Sequence, residues 1–443
     1  MIMTSLRHIV CICTFCIACV ACAPNTIYHH IYSGCSAKTP DECPANSVVH
    51  YFPGETNEFH LGYLEFNDQG QLRDRQQLAS LLADYSILAA ENDVIVTVFV
   101  HGWHHSASPD DTNLKYFKKL LEKVAENEKL MSKALSRSER KILGVYVSWR
   151  GDSITIPVIK EATFWDRKAV AHEVGLQGVT EVLLRLEEIV NVKIGQEKKP
   201  RPQNSRMITI GHSFGGAVVF TALQQVLADR FIDSHRNKTF TDDAKGFGDL
   251  VLLINPAFEA MRYSTLYDIA QQDCRPYTLP RQLPRLLILT SEKDDATGMI
   301  FPLGRFFSTV LETHQQLGRY ECTETGMKPT QLDEFSADKT AVGHFKPFQT
   351  HLMKPRNKVS EANKVQQLLS LQEQWILQTY KGTLYFSQTK LEHLGKTTPL
   401  NPYLNIYVDG KIISGHNDIW NDKLFSFIQE MFLVSTNNEK PPE

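Results

Sequence analysis

The sequence predicts an α/β fold in which a mostly parallel sheet carries helices on both faces. Three observations lead there. Apolar runs such as "VIVTVFV" (residues 94–100), "ILGVYVSW" (142–149) and "DLVLLIN" (249–255) lack the clean alternation of a half-exposed strand, so both of their faces are buried. Stretches of helical length and spacing separate them, the rhythm of strand–helix–strand units. In "RMITIGHSFGGAVVF" (206–220) a buried strand then runs directly into a buried helix, with Ser213 at the junction.

The remaining elements follow in chain order. "FHLGYLEF" (59–66) reads as a strand, followed by a helix over about 74–90 and the strand at 94–100. An amphipathic helix over 113–135 precedes the strand at 142–149, and a second long helix over about 164–190 leads into the basic loop "KKPRPQNSR" (198–206). That loop reads as a solvated connector. After the Ser213 strand and its helix, whose Val218, Val219, Ala222, Leu223, Val226 and Leu227 share one face, come the strands "DLVLLIN" and "LPRLLILT" (283–290). Residues 299–400 interrupt the rhythm before a last strand, "YLNIYV" (403–408), and a closing helix over 419–433. The segment 24–47 is polar and turn-rich and reads as a tether or N-terminal loop. The chain therefore divides into 1–22, 23–92, a core over 93–298, the interruption 299–400 and a closing unit 401–435. There is no internal repeat and no low-complexity segment.

Composition narrows the function classes. The 443 residues are 42% hydrophobic and 22% charged, with 47 basic against 50 acidic residues, a net charge of −3. Such a balance offers no electrostatic footprint for nucleic acid. The N-terminus differs from the rest. Arg7 and His8 precede the apolar run "IVCICTFCIACVA" (9–21), too short to span a bilayer and right for the apolar region of a signal peptide. It ends in "CVACAPN" (19–25), which resembles a bacterial lipobox although Cys19 stands where leucine is commoner. The resemblance implies cleavage before Cys22 and lipidation of its sulfur, hence an exported chain anchored to a membrane of the bacterial envelope. Free secretion, or retention of the apolar run as an anchor, are the alternatives. Of the nine cysteines, Cys35, Cys43, Cys274 and Cys322 lie beyond this segment. An even number in an exported chain suggests disulfides, paired by proximity as Cys35–Cys43 and Cys274–Cys322.

Helix in direct succession to strand forces a sharp turn at Ser213, and the glycines at 211, 215 and 216 relieve the crowding around it. Such a turn lifts a serine hydroxyl clear of the sheet. A nucleophile there needs a base, an orienting carboxylate and oxyanion donors, all sought at the carboxyl ends of strands. "HGW" (101–103) ends a buried strand, and its glycine allows close backbone approach. The amides of Trp103 and Phe214 are the expected donors. His101, His104 and His105 also invite a metal reading, but they leave a strand with no ligand motif beside them. In "RLLILTSEKDDATG" (285–298) the expected acid is Asp294, with Asp295 next and Glu259 outside. His416, in a loop between the last strand and the final helix, is the expected base, with His344 and His351 as rivals.

With these parts in the order Ser, Asp, His, the chain resembles the α/β-hydrolases. The resemblance spans about 93–433 and leaves 299–400 outside the core pattern. It implies a Ser213–His416–Asp294 serine hydrolase that cleaves a carboxylic ester through an acyl-enzyme and requires no cofactor or metal. Thioester or amide substrates, or a non-catalytic envelope lipoprotein, are the alternatives. Both ends of 299–400 are expected at the catalytic edge, making it a cap or pocket wall rich in Phe301, Phe306, Phe307, Phe345 and Phe348. A Cys274–Cys322 bridge would pin that cover beside the site.

Overall fold

The computed structural model describes residues 26–32, 34–152, 164–191, 204–234, 244–271, 274, 282–303, 305, 312–357 and 362–437. The signal-like segment with Cys22, most of the basic loop, and Phe306 and Phe307 lie outside them.

Strands β1 (Cys35–Ala37), β2 (Val48–Tyr51) and β3 (Phe59–Glu65) open the fold, followed by α1 (Arg75–Glu91) and β4 (Val94–Val100). Helix α2 (Thr112–Ala134) leads to β5 (Lys141–Ser148). Helices α3 (Phe164–Val174) and α4 (Thr180–Asn191) are the two halves of the long predicted helix, broken by a π-type turn at Gly175–Val179. Strand β6 (Arg206–His212) runs into α5 (Phe214–Ser234), and β7 (Leu250–Ile254) is followed by α6 (Ala260–Gln271) and β8 (Leu286–Ser291). A short helical segment at 296–303 follows. The hairpin β9 (Gln316–Thr323) and β10 (Gly326–Asp333) precedes α7 (Glu334–Lys339), β11 (His351–Pro355) and α8 (Lys364–Ile376). The chain closes with β12 (Thr383–Tyr385), β13 (Thr389–His393), β14 (Tyr403–Val408) and α9 (Asp422–Thr436).

All strands except the β9–β10 hairpin join one 12-stranded sheet in the order β1-β2-β3-β5-β4-β6-β7-β8-β14-β11-β13-β12. From β3 to β11 every neighbouring pair is parallel. The continuous apolar runs are explained by the two cores they serve. Val96, Val98 and Val100 of β4 pack with α1 and α3 to α6 on one face, while Ile95 and Phe99 pack with α2 and α9 on the other. Alternate residues thus face opposite cores, and neither face is left polar.

Five expectations are corrected. The polar segment 24–47 is not merely a tether: it holds β1, and the backbone amides of Tyr28 and His29 donate to the buried carboxylate of Glu65 at the end of β3. Residues 299–400 leave the edge where the parallel strands end but return at the opposite one, because β14 runs parallel to β8 and must start where β8 starts. Much of the segment is not a cover, since β11, β13 and β12 extend the sheet itself. The Cys274–Cys322 bridge is present, as is Cys35–Cys43. It does not pin anything beside the site: α6 carries the chain back across the sheet before Cys274, so the bridge lies at the far edge. The final helix begins at Asp422 rather than 419, capped by the Asn421 side chain.

Candidate active site

Parallel strands end together, so β4, β6, β8 and β14 deliver His101, Ser213, Asp294 and His416 to one edge of the sheet. Ser213 occupies the left-handed region at φ 55°, a conformation that costs a non-glycine residue about 1–3 kcal/mol. The glycines around it are required by space. A Cβ on Gly215 would lie 2.1 Å from the Val100 carbonyl oxygen, and one on Gly211 2.7 Å from that of Gly215. Gly102 is held equally tightly, because its Cβ would stand 2.7 Å from Ser213 Cβ. The strand exit bearing Trp103 therefore runs directly against the serine.

Ser213 Oγ lies 2.7 Å from His416 Nε2, and His416 Nδ1 lies 2.8 Å from Asp294 Oδ1. The network fixes the tautomer: Nδ1–H donates to the carboxylate and Nε2 accepts from the hydroxyl. Asp294 is buried, whereas Asp295 and Glu292 are exposed. Burial alone would raise the Asp294 carboxyl. The His416 ring and two Thr297 donors, its amide at 3.1 Å and its hydroxyl at 2.5 Å, outweigh that and hold it below the ordinary carboxylate range. His344 bonds the backbone of Asp294 but makes no hydrogen bond to its carboxylate or to Ser213. Its Nε2 lies 3.0 Å from Thr297 Oγ1, one bond removed from that carboxylate.

The other rivals are placed elsewhere. Glu259 is buried among Lys168 (2.6 Å), Arg262 (3.0 Å) and Arg305 (3.2 Å), an ion-pair cluster that holds the carboxyl down to about 2 against the opposing pull of burial. His351 pairs with Thr350 Oγ1. The three histidines at the β4 exit diverge: His101 bonds Ser148, His104 bonds Asp152 and His105 bonds Asp111. Among the described residues two other sets bring possible ligand atoms within 4.8 Å, His50/Glu58/His60 and Glu312/His314/Asp338. The first lies on the β2–β3 hairpin at the opposite edge, where Lys141 Nζ already sits 3.1 Å from Glu58.

The loop bearing His416 is fixed along its length. Ser291 Oγ donates to the Ile413 carbonyl, and the Asp418 carboxylate takes both the amide and the hydroxyl of Ser414. Trp420 stacks on Tyr116 and donates to Asn113 of α2. The carbonyl of His416 itself receives two donors, Asn255 Nδ2 at 2.8 Å and His212 Nε2 at 3.1 Å. Asn255 also accepts the Ser291 amide on its Oδ1 at 3.0 Å, and it sits at φ 46°. One fully buried side chain thus ties the end of the acid strand to the histidine. Sequence reasoning missed Asn255 and Thr297; an asparagine immediately after an apolar strand, where left-handed backbone is tolerated, is the signal available for the first.

The oxyanion expectation concerns two backbone amides. The rings of Trp103 and Phe214 lie 6.2 Å apart, and both pack against Phe164. The Trp103 indole Nε1 is buried without a partner among the described residues. Comparisons with family models, with curated proteins and with solved structures found no match, so the functional reading stands on this arrangement of side chains alone.

Proposed function

We propose that the chain is a serine hydrolase of the α/β-hydrolase type that cleaves a carboxylic ester. The observation that carries this reading is the unbroken hydrogen-bond chain Ser213–His416–Asp294 on a strained strand-to-helix turn. His416 Nε2 takes the Ser213 proton as Oγ attacks the substrate carbonyl, forming a tetrahedral intermediate. The amides of Trp103 and Phe214 stabilise its oxyanion, and one such donor is worth about 3 kcal/mol. Collapse expels the alcohol, protonated by His416, and leaves an acyl-enzyme. Water, deprotonated by the same imidazole, then releases the acid and restores the serine. Asp294 stays ionised throughout, orients the imidazole and stabilises the imidazolium. Thioesters and amides would follow the same route with other leaving groups. The proposed setting is the bacterial envelope, with the chain held by lipid on Cys22.

A fluorophosphonate probe tests the reading. The wild type labels and hydrolyses p-nitrophenyl esters, and Ser213→Ala does neither while remaining folded. A wild-type chain that fails to label is instead a binding protein built on this fold.

A further inference from the structure

We propose that the catalytic edge of the sheet is a membrane-docking face, and that the ester is presented by the bilayer. This rests on the catalytic reading above and adds the substrate's location to it.

Two features flank Ser213 on that edge. The first is the N-terminal strap. Tyr28 N donates to both Glu65 oxygens, at 3.0 and 3.1 Å, and Glu65 closes β3 at the carboxyl end. Thr26 and Tyr28 share a cavity of about 140 Å³ with His104 and His105, the residues that follow Trp103. Neighbouring strands are about 4.8 Å apart, so the three spacings from β3 through β5 and β4 to β6 place the strap about 14 Å from the serine. The second is the helical segment 296–303, which follows the acid loop two strands away on the other side of β6. It turns Thr297 and Phe301 inward at 0% exposure and leaves Met299, Ile300 and Leu303 exposed by 63, 50 and 64%. Three large apolar side chains on one short segment are the sort of patch that marks an interaction surface.

The chain that precedes Thr26 identifies the occupant. Cys22 lies four residues before Thr26, and an extended chain covers at most about 3.6 Å per residue, so a lipid on Cys22 sits within about 14 Å of the strap. An uncleaved apolar run at 9–21 would attach on the same short lead. Either attachment brings the bilayer to the edge that carries Ser213. A tether this short keeps that edge near the bilayer but does not by itself set which way the chain faces. A second apolar contact on the same edge supplies that orientation by entering the acyl boundary. Met299, Ile300 and Leu303 are that contact.

The test reads orientation in the anchored chain. An environment-sensitive nitrobenzoxadiazole fluorophore is placed at Leu303→Cys, or at Glu55→Cys in the exposed β2–β3 turn at the opposite edge, and the protein is reconstituted in phosphatidylethanolamine–phosphatidylglycerol vesicles. The fluorophore at 303 should be quenched by spin-labelled lipid about fivefold more strongly than at 55, as expected for insertion at the acyl boundary. Equal quenching at the two positions, or an apolar environment at 303 that persists without vesicles, overturns the docking face; the latter result means self-association. This readout needs no catalysis and is repeated with Ser213→Ala, so its failure is separate from failure of the catalytic assignment. For the substrate, Leu303→Asp should lower the ratio of turnover on a vesicle-borne long-chain ester to turnover on a soluble short-chain ester by about tenfold. That is the factor for losing burial of one large apolar side chain. An unchanged ratio refutes bilayer presentation.

Discussion

Asn255 offers the sharpest test of how the site is assembled. Replacing it with alanine removes the donor to the His416 carbonyl and the acceptor of the buried Ser291 amide. An orphaned buried amide costs about 1–3 kcal/mol, and alanine in the left-handed region adds about 1 more, so Asn255→Ala should lose about 2–4 kcal/mol of stability. The catalytic effect is separate. His416 keeps only the longer bond from His212, and a shift of about 1 Å in a catalytic group costs about 100-fold in rate. Asn255→Gly distinguishes the two effects, because glycine accepts φ 46° without strain yet makes neither hydrogen bond. It should be no less stable than the alanine variant and equally slow. The assay is kcat and KM on a soluble p-nitrophenyl ester, normalised to folded protein from urea melts. The fall should appear in kcat, with KM little changed. If either variant, shown to be folded, turns over within about threefold of wild type, the clamp on His416 does not position the base.

Other perturbations probe the acid, acid stability and the distal bridge. Asp294→Asn should lower kcat by about 10⁴-fold, since the amide favours the wrong imidazole tautomer, whereas exposed Asp295→Asn should change it by less than about twofold; steady-state rates decide, and the reverse ranking moves the assignment. His172, buried against Thr221, has its pKa lowered to about 3 by burial and by the cations of the Glu259 cluster. Its folded value lies below the unfolded value of about 6.5, so its contribution is complete above pH 6.5 and is lost as the pH falls towards 3, by up to about 1.4 kcal/mol per unit. Urea melts of His172→Gln should therefore show a shallower loss of stability between pH 6.5 and 4 than the wild type. Removing the Cys274–Cys322 bridge, whose partners are 48 residues apart, should cost about 4 kcal/mol in a thermal or urea melt, while turnover per folded molecule stays the same.

What was legible in the sequence was whatever one short window contains. The runs at β4, β5, β7 and β8 announce themselves because most of their residues are apolar to serve one core or the other, and the turn at Ser213 because its glycines are close neighbours in the chain. β1 and β12 have three residues each, too few to display a period. The return of 299–400 at the opposite edge follows from strand direction, which composition does not encode. The break between α3 and α4 arises where Gly175 packs on α5, its Cβ position 2.6 Å from the Val218 carbonyl, a contact made across 43 residues of chain. Asn255 and Thr297 act through bonds to partners placed by the fold. Asn255 meets His416 across 161 positions, and no local pattern reports such a meeting. The choice of Asp294 over Asp295 depended on which neighbour turns inward, a matter of one residue's rotation about the loop.

The two ends of the sheet have a consequence for how such a chain survives in a crowded compartment. A long flat outer strand would expose unpaired amides and carbonyls to any other extended chain, a template for fibrous growth. Here the outermost strands, β1 and β12, present three residues apiece, and the turn beyond β1 is closed on itself by the Cys35–Cys43 bridge. A passing segment finds too short a row to register against. Reduction of that bridge would free the chain around β1 to peel away and uncover β2, whose Val48, Val49 and Tyr51 make a longer and more adhesive rim. Cys35→Ser with Cys43→Ser should therefore polymerise more readily than the bridged chain, as read by light scattering.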